Sequence, residues 1–129
     1  MAQKIVLLAE DEKNIADMYK IALDEVGFDT VITSNGEEVL QKAKELKPDI
    51  VLLDINMPVK DGFEVLQELV KNKSSYPLLK DVPIVMLTNY NNTQDIEYCV
   101  KMGAQDFIVK SEWTPKTVVA KVKKILETE

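Results

Sequence analysis

Polar residues that could do chemistry together stand at the ends of four apolar runs in this chain of 129 residues. They are Glu10 and Asp11, Asp54, Thr88 and Lys110. If the runs are neighbouring parallel strands, these side chains meet beyond the carboxyl ends of the strands, where open sheets bind ligands. Three carboxylates in one place repel one another and need a cation, and oxygen ligands without histidine or cysteine select Mg²⁺. Such a cation, with a lysine and a hydroxyl beside it, suits the transfer of a phosphoryl group.

Asp54 is the best nucleophile among these residues. It ends the run Ile50-Val51-Leu52-Leu53, which predicts a strand covered on both faces, and a carboxylate can form an acyl phosphate. Asp61 then offers an N-cap for the next helix, so the acid stands where a strand gives way to a loop. Each polar residue taken singly has an ordinary explanation, as a helix cap or a solvated charge. The agreement of four strand ends favours a functional site.

Five strands alternate with five helices in the predicted secondary structure. The strands are predicted from short apolar and β-branched runs at Lys4–Ala9, Phe28–Thr33, Ile50–Asp54, Val82–Leu87 and Phe107–Val109. Apolar residues at helical spacing follow each strand, and the predicted buried faces include Met18 and Val26 in the first helix and Cys99 and Val100 in the fourth. Because strand–helix–strand connections are right-handed, this order predicts a parallel sheet between two layers of helices, a three-layer α/β sandwich.

Composition and charge exclude several classes of function. The 22 acidic and 16 basic residues give a net charge of -6, the wrong sign for direct nucleic-acid binding. The absence of histidine removes a Ser-His-Asp triad and imidazole metal ligands, and the single cysteine cannot form an intrachain disulfide. No apolar run is long enough to span a membrane and no signal peptide is evident, so a cytoplasmic protein is expected. The length predicts one domain over residues 1–129, with no output domain.

The same residues resemble the receiver domain of two-component response regulators, over nearly the whole chain from Lys4 to Leu126. Glu10-Asp11 resembles the acidic pair of that family. Asp54, in the segment Leu-Leu-Asp-Ile-Asn-Met-Pro-Val-Lys-Asp-Gly, resembles its phosphoacceptor. Thr88 resembles the switch hydroxyl, and Lys110, 22 residues later, resembles the lysine of the site.

The resemblance implies a doubly wound, flavodoxin-like (βα)5 fold with strand order 2-1-3-4-5. It implies phosphoryl transfer to Asp54 from a histidine kinase or phosphotransfer protein, with Mg²⁺ held by Glu10, Asp11, Asp54 and the backbone carbonyl of Asn56. Phe107 occupies the aromatic switch position, and a shift of Thr88 and Phe107 would remodel the face of helix four, strand five and helix five for a downstream protein target. A homodimer on phosphorylation is a further implication. Catalysis would be limited to the protein's own phosphorylation and dephosphorylation.

Three positions depart from the family pattern. Glu10 replaces the usual aspartate, Ser111 replaces the proline that commonly follows the lysine, and Asn89 stands where a very small residue is common. The sizes of Asn89 and Tyr90 predict a narrower route to Asp54, and therefore slow self-dephosphorylation.

Three other classes of protein compete with this interpretation. Hydrolases of the haloacid dehalogenase type also phosphorylate an aspartate beside Mg²⁺, but they use a second acid two residues later, where this chain has Asn56. A phosphate-binding flavodoxin-like module is disfavoured because no Ser/Thr/Gly-rich loop follows the first strand. A pseudo-receiver that only binds partners is least favoured, because every phosphorylation residue is present.

Overall fold

The computed structural model describes residues 3–88, 93–112 and 114–127. Five strands and five α-helices alternate along these residues. They are β1 Ile5–Ala9, α1 Lys13–Glu25, β2 Asp29–Thr33, α2 Gly36–Glu45, β3 Ile50–Asp54, α3 Gly62–Lys71, β4 Ile84–Thr88, α4 Thr93–Met102, β5 Asp106–Val109 and α5 Pro115–Glu127. Short 3₁₀ turns lie at Lys73–Ser75, Pro77–Leu79 and Lys110–Glu112.

The strands form one parallel sheet in the order β2-β1-β3-β4-β5. The predicted sheet and strand order are thereby confirmed. All five residues of β3 are buried, because this strand lies at the centre of the sheet with neighbours on both edges and helices on both faces. Since every strand is parallel, all the carboxyl ends lie along one edge of the sheet.

Two apolar cores lie on opposite faces of the sheet. Successive side chains of a strand point to opposite faces, so Val51 and Leu53 join one core while Leu52 joins the other. Residues of α2, α3 and α4 complete the first core, and residues of α1 and α5 complete the second. This division confirms the three-layer sandwich. Among the described residues, no helix has the length and apolar character needed to cross a bilayer.

Three predicted core residues are largely exposed. Met18 is 39%, Val26 43% and Val100 49% exposed, whereas Cys99 is buried as predicted. The buried stripe of α1 is narrower than its apolar stripe, and Val26 lies beyond the end of that helix. The predicted strand boundaries shift by one or two residues: β4 begins after Pro83 and includes Thr88.

Candidate functional site

The ends of four neighbouring strands bring together the polar residues singled out in the sequence. Glu10 follows β1, Asp54 ends β3, Thr88 ends β4 and Lys110 follows β5. The register pairs Asp54 with Leu87, so the end of β3 lies beside the end of β4. The site is therefore built on strand ends, which are rigid because the backbones of β3 and β4 are bonded to strands on both sides.

Three carboxylates form a cluster at this edge. One carboxylate oxygen from each of Glu10, Asp11 and Asp54 lies within 4.8 Å of the other two. Glu10 and Asp54 are each only 1% exposed, whereas Asp11 faces solvent. Two carboxyl groups are thus buried in the protein, and the third lies at the mouth of the site, where an ion from solvent can reach it.

Lys110 joins the two buried carboxylates. Its Nζ donates to Oε1 of Glu10 at 2.8 Å and to Oδ2 of Asp54 at 3.1 Å, and its side chain is 6% exposed. Burial alone lowers the pKa of Lys110, but the hydrogen bonds and charges of Glu10 and Asp54 outweigh that effect and the net pKa is raised. The lysine is therefore charged throughout the physiological range. The peptide bond between Lys110 and Ser111 is trans.

Glu10 has a strongly perturbed pKa. The pKa of Glu10 is raised to about 7 in total: burial is the largest cause and Asp54 adds to it, while the hydrogen bonds from Lys110 and from the amide of Glu12 act in the opposite direction. The Glu12 amide donates to Oε2 at 3.2 Å. Both oxygens of Glu10 therefore accept hydrogen bonds, which fixes the orientation of the carboxyl group.

The carboxylate of Asp54 is oriented from two sides. Lys110 donates to Oδ2, and the backbone N–H of Asn56 donates to Oδ1 at 3.0 Å. The following loop folds back on the strand, since the Gly62 amide donates to the carbonyl of Ile55 at 2.8 Å. The loop backbone thus lies against the Asp54 carboxylate, and the role of the Asn56 carbonyl stays a prediction.

The two predicted switch residues lie in the strands next to the cluster. Thr88 is buried at 5% exposure. Phe107 is half-buried and packs against the core formed with α2, α3 and α4, and its strand register pairs it with Met86. The predicted gating positions Asn89 and Tyr90 lie outside the described residues.

The residues of the cluster fit Mg²⁺. Hard oxygen donors within 4.8 Å of one another are the ligands that this ion prefers. With every group ionised, the three carboxylates and the one ammonium leave two negative charges, which a divalent cation would balance.

One residue near the site is not among the site residues predicted from the sequence. Tyr19 of α1 is 1% exposed. Burial raises the pKa of its hydroxyl, Lys110 lowers it, and Glu10 and Asp54 raise it, so the ring lies within electrostatic range of the cluster. A tyrosine at an interior helix position is the only sequence signal, and it does not distinguish this placement from ordinary packing.

Comparison with known proteins gives a family match over most of the chain. A family model described as the response regulator receiver domain matches residues 6–123. The chain is 36% identical over 123 residues to the alkaline phosphatase synthesis transcriptional regulatory protein PhoP of Bacillus subtilis, covering 95% of this chain and 48% of that protein. It is 37% identical over 123 residues to the DNA-binding response regulator MtrA of Mycobacterium tuberculosis, covering 95% and 50%. The chain spans about half the length of these relatives.

Solved structures give the same fold. The chemotaxis response regulator CheY4 of Vibrio cholerae superposes with a TM-score of 0.85 at 28% identity, over 96% of this chain and 99% of that one. The BeF3-activated N-terminal receiver domain of RstA from Klebsiella pneumoniae superposes with a TM-score of 0.83 at 27% identity, over 95% and 98%.

Proposed function

The chain belongs to the response regulator receiver family, whose members are signalling domains of two-component phosphorelays, and on that premise we propose that Asp54 is its phosphoacceptor. One observation carries the proposal. The Asp54 carboxylate ends the buried central strand with an ammonium at 3.1 Å and two further acids clustered around it. A nucleophile and the groups that handle phosphoryl charge are thereby held together.

In the proposed reaction a carboxylate oxygen of Asp54 attacks the phosphorus of a phosphohistidine in a kinase or phosphotransfer protein. A P–O bond forms while the P–N bond breaks, and the electron pair of the broken bond stays with the imidazole nitrogen, which takes up a proton. The Asn56 amide and Lys110 hold the carboxylate in one orientation before the donor arrives, which lowers the entropic part of the barrier.

The other residues have supporting roles in this proposal. Lys110 and the hydroxyl of Thr88 interact with the phosphoryl oxygens. Glu10, Asp11, Asp54 and the carbonyl of Asn56 would hold Mg²⁺, which would supply positive charge to balance the phosphoryl group. Thr88 and Phe107 then relay the modification to the surface formed by α4, β5 and α5. Slow self-dephosphorylation of Asp54 belongs to the same proposal.

The proposed partners are a histidine kinase or phosphotransfer protein and a downstream protein that binds the α4–β5–α5 surface, with homodimerisation on phosphorylation as one use of that surface. We assign no nucleic-acid binding to this domain, because its net charge is -6, although MtrA is a DNA-binding protein by name.

A cytoplasmic location is part of the proposal. That residues 1–129 act without an output domain stays a prediction, since the relatives are about twice as long.

A small phosphodonor tests the proposal. Protein incubated with acetyl phosphate and Mg²⁺ should gain one phosphoryl group by mass spectrometry, and Asp54→Asn should gain none because the amide is not a nucleophile. Asp61→Asn is the matched control, since it makes the same change in the adjacent loop and should be modified like wild type.

Modification of Asp54→Asn, or an unmodified wild type, would contradict the proposed role of Asp54. Continuous release of phosphate by the wild type would instead indicate a hydrolase, the alternative that Asn56 disfavours at the position of a general acid.

A further inference from the structure

The loop between β3 and α3 contains a strained turn. Val59 has φ of 70°, and the amide of Lys60 donates to the carbonyl of Pro58 at 2.8 Å. A hydrogen bond across one residue with positive φ is the rarer, strained form of the γ-turn, and a β-branched residue is poorly suited to it. The Val59 side chain is 71% exposed, so its own packing does not offset the strain.

The first turn of α2 lies directly against this loop. Gly36 is the first residue of α2 and is buried. A Cβ added there would overlap the carbonyl oxygen of Lys60 and lie 2.5 Å from its Cβ. The next residue of the helix, Glu37, also reaches the loop, with its Oε1 3.7 Å from Nζ of Lys60. The missing side chain at Gly36 is therefore what permits this close approach.

The start of α2 is itself firmly held. The Asn35 side chain caps the helix by accepting from the Glu38 amide at 2.9 Å, and the Glu38 carboxylate accepts from the amide and hydroxyl of Ser34. At the end of β2, the Thr33 carbonyl accepts from the Glu10 amide at 3.0 Å. The β2–α2 connection is thus tied both to the acidic cluster and to the helix that supports the loop.

We infer that Gly36 is a positioning residue for the phosphoacceptor site, because it allows α2 to hold the strained turn at Val59 in place. Strained backbone persists only where its surroundings over-determine it, and the backbone of Lys60 against Gly36 is such a surrounding. The same loop supplies the Asn56 amide that orients Asp54. The functional part of this inference rests on the proposed role of Asp54, whereas its structural part does not.

Gly36→Ala tests the inference, with Gly27→Ala as the matched control. Gly27 has φ of 99° and open space around the added Cβ, so its replacement strains the backbone far from the loop. In metal-free protein, Gly36→Ala should speed amide hydrogen exchange at Asn56 and Lys60, and Gly27→Ala should leave both amides unchanged. The dissociation constant for Mg²⁺ should rise about tenfold in Gly36→Ala only, as for other residues that orient metal ligands.

A second variant separates positioning from stability. Val59→Gly removes the strain, because glycine adopts positive φ readily, so the turn keeps its form with less support from α2. Adding it to Gly36→Ala should therefore restore at least half of the lost Mg²⁺ affinity. If Gly36→Ala alone does not fold, the double variant still tests the inference, which then predicts that adding Val59→Gly restores folding.

Any of three results would overturn the inference. The exchange rates at Asn56 and Lys60 could be unchanged in Gly36→Ala, or Gly27→Ala could lose as much Mg²⁺ affinity as Gly36→Ala. The third is that Val59→Gly does not restore the Mg²⁺ affinity or folding of Gly36→Ala. Failure of the wild type to accept a phosphoryl group would overturn the proposed function alone, since the exchange measurement needs neither phosphodonor nor metal.

Discussion

Lys110 is the residue that keeps two acidic side chains buried side by side. Unpaired buried carboxylates are costly, and one ammonium within hydrogen-bond distance of both reduces that cost. The compensation is incomplete for Glu10, because burial still raises its pKa to about 7. An added cation would therefore relieve an existing electrostatic strain at this edge of the sheet.

The raised pKa of Glu10 predicts how stability changes with pH in the metal-free protein. The folded state keeps a proton on Glu10 up to about pH 7, whereas the unfolded chain releases it near the ordinary glutamate pKa of 4.5. Because the folded state binds more protons in this window, this stabilising contribution is complete below about pH 4.5 and is lost as the pH rises through 7. The loss should be roughly 1 kcal/mol per pH unit between about pH 5 and pH 7.

Glu10→Gln provides the comparison, because glutamine has the same shape and does not titrate. Urea unfolding at several pH values should show the free energy of unfolding of the wild type falling relative to Glu10→Gln across this window. Parallel curves for the two proteins would mean that Glu10 titrates alike in both states and that its pKa is not raised by folding.

Cys99 should be unreactive in the native protein. Its side chain is 1% exposed, and burial, with a smaller contribution from Asp95, raises the pKa of the thiol to about 11. A thiol reagent at neutral pH should label the protein rapidly only after denaturation, which mass spectrometry can follow. Labelling of native and denatured protein at equal rates would contradict the assignment of Cys99 to the core.

At the scale of elements, the connection from β3 to α3 follows Asp54, the proposed phosphoacceptor, and leads into the next helix. Asp61 accepts from the Glu64 amide at 2.9 Å, and the Glu64 side chain accepts from the Asp61 amide at 3.3 Å, forming a capping box. The loop that follows Asp54 is thus fixed at its far end by α3, while α2 supports its middle. Two helices on one face of the sheet together determine the position of the loop.

Removal of this cap should weaken α3 measurably. Asp61→Ala should lower the free energy of unfolding by about 1 kcal/mol, because it removes the side chain that accepts from the Glu64 amide in the first turn. Asp61→Asn should change stability by only a few tenths of a kcal/mol, since asparagine accepts the same bond. Chemical denaturation of the three proteins provides the measurement, and equal losses in both variants would indicate that charge and not capping is responsible.

At the scale of the whole molecule, Mg²⁺ should stabilise the fold. An ion that binds only the folded protein raises the melting temperature in proportion to the logarithm of its concentration once the site is nearly saturated. Asp11→Ala should abolish the effect, because Asp11 is the member of the cluster that faces solvent. Differential scanning calorimetry with and without Mg²⁺ measures both responses.

Asp17→Ala controls for net charge, since it also removes one acidic charge, at a position on α1 where Asp17 pairs with Lys13. Its melting temperature should respond to Mg²⁺ as that of the wild type does. An Mg²⁺ response in Asp11→Ala as large as in the wild type would place the ion elsewhere.

Most of the fold could be predicted from the sequence because its signals are local. The apolar run Ile50–Leu53, which ends at Asp54, predicts the central strand with its observed bounds, and Asp61 predicts the start of α3. Strand and helix periods and capping residues act over a few positions, so they can be recognised without a partner segment. The alternation of five strands and five helices then leaves few arrangements other than a parallel sheet covered on both faces.

By itself, the sequence determined which residue types stand at the strand ends, and therefore which chemistry the edge of the sheet could support. Only the tertiary structure decided that Lys110 contacts both Glu10 and Asp54, which lie 100 and 56 residues away in the chain. The tertiary structure also decided that Val100 is exposed and that Gly36 lies against Lys60. Such contacts depend on the distance and tilt between packed elements, and a local sequence pattern contains no information about either.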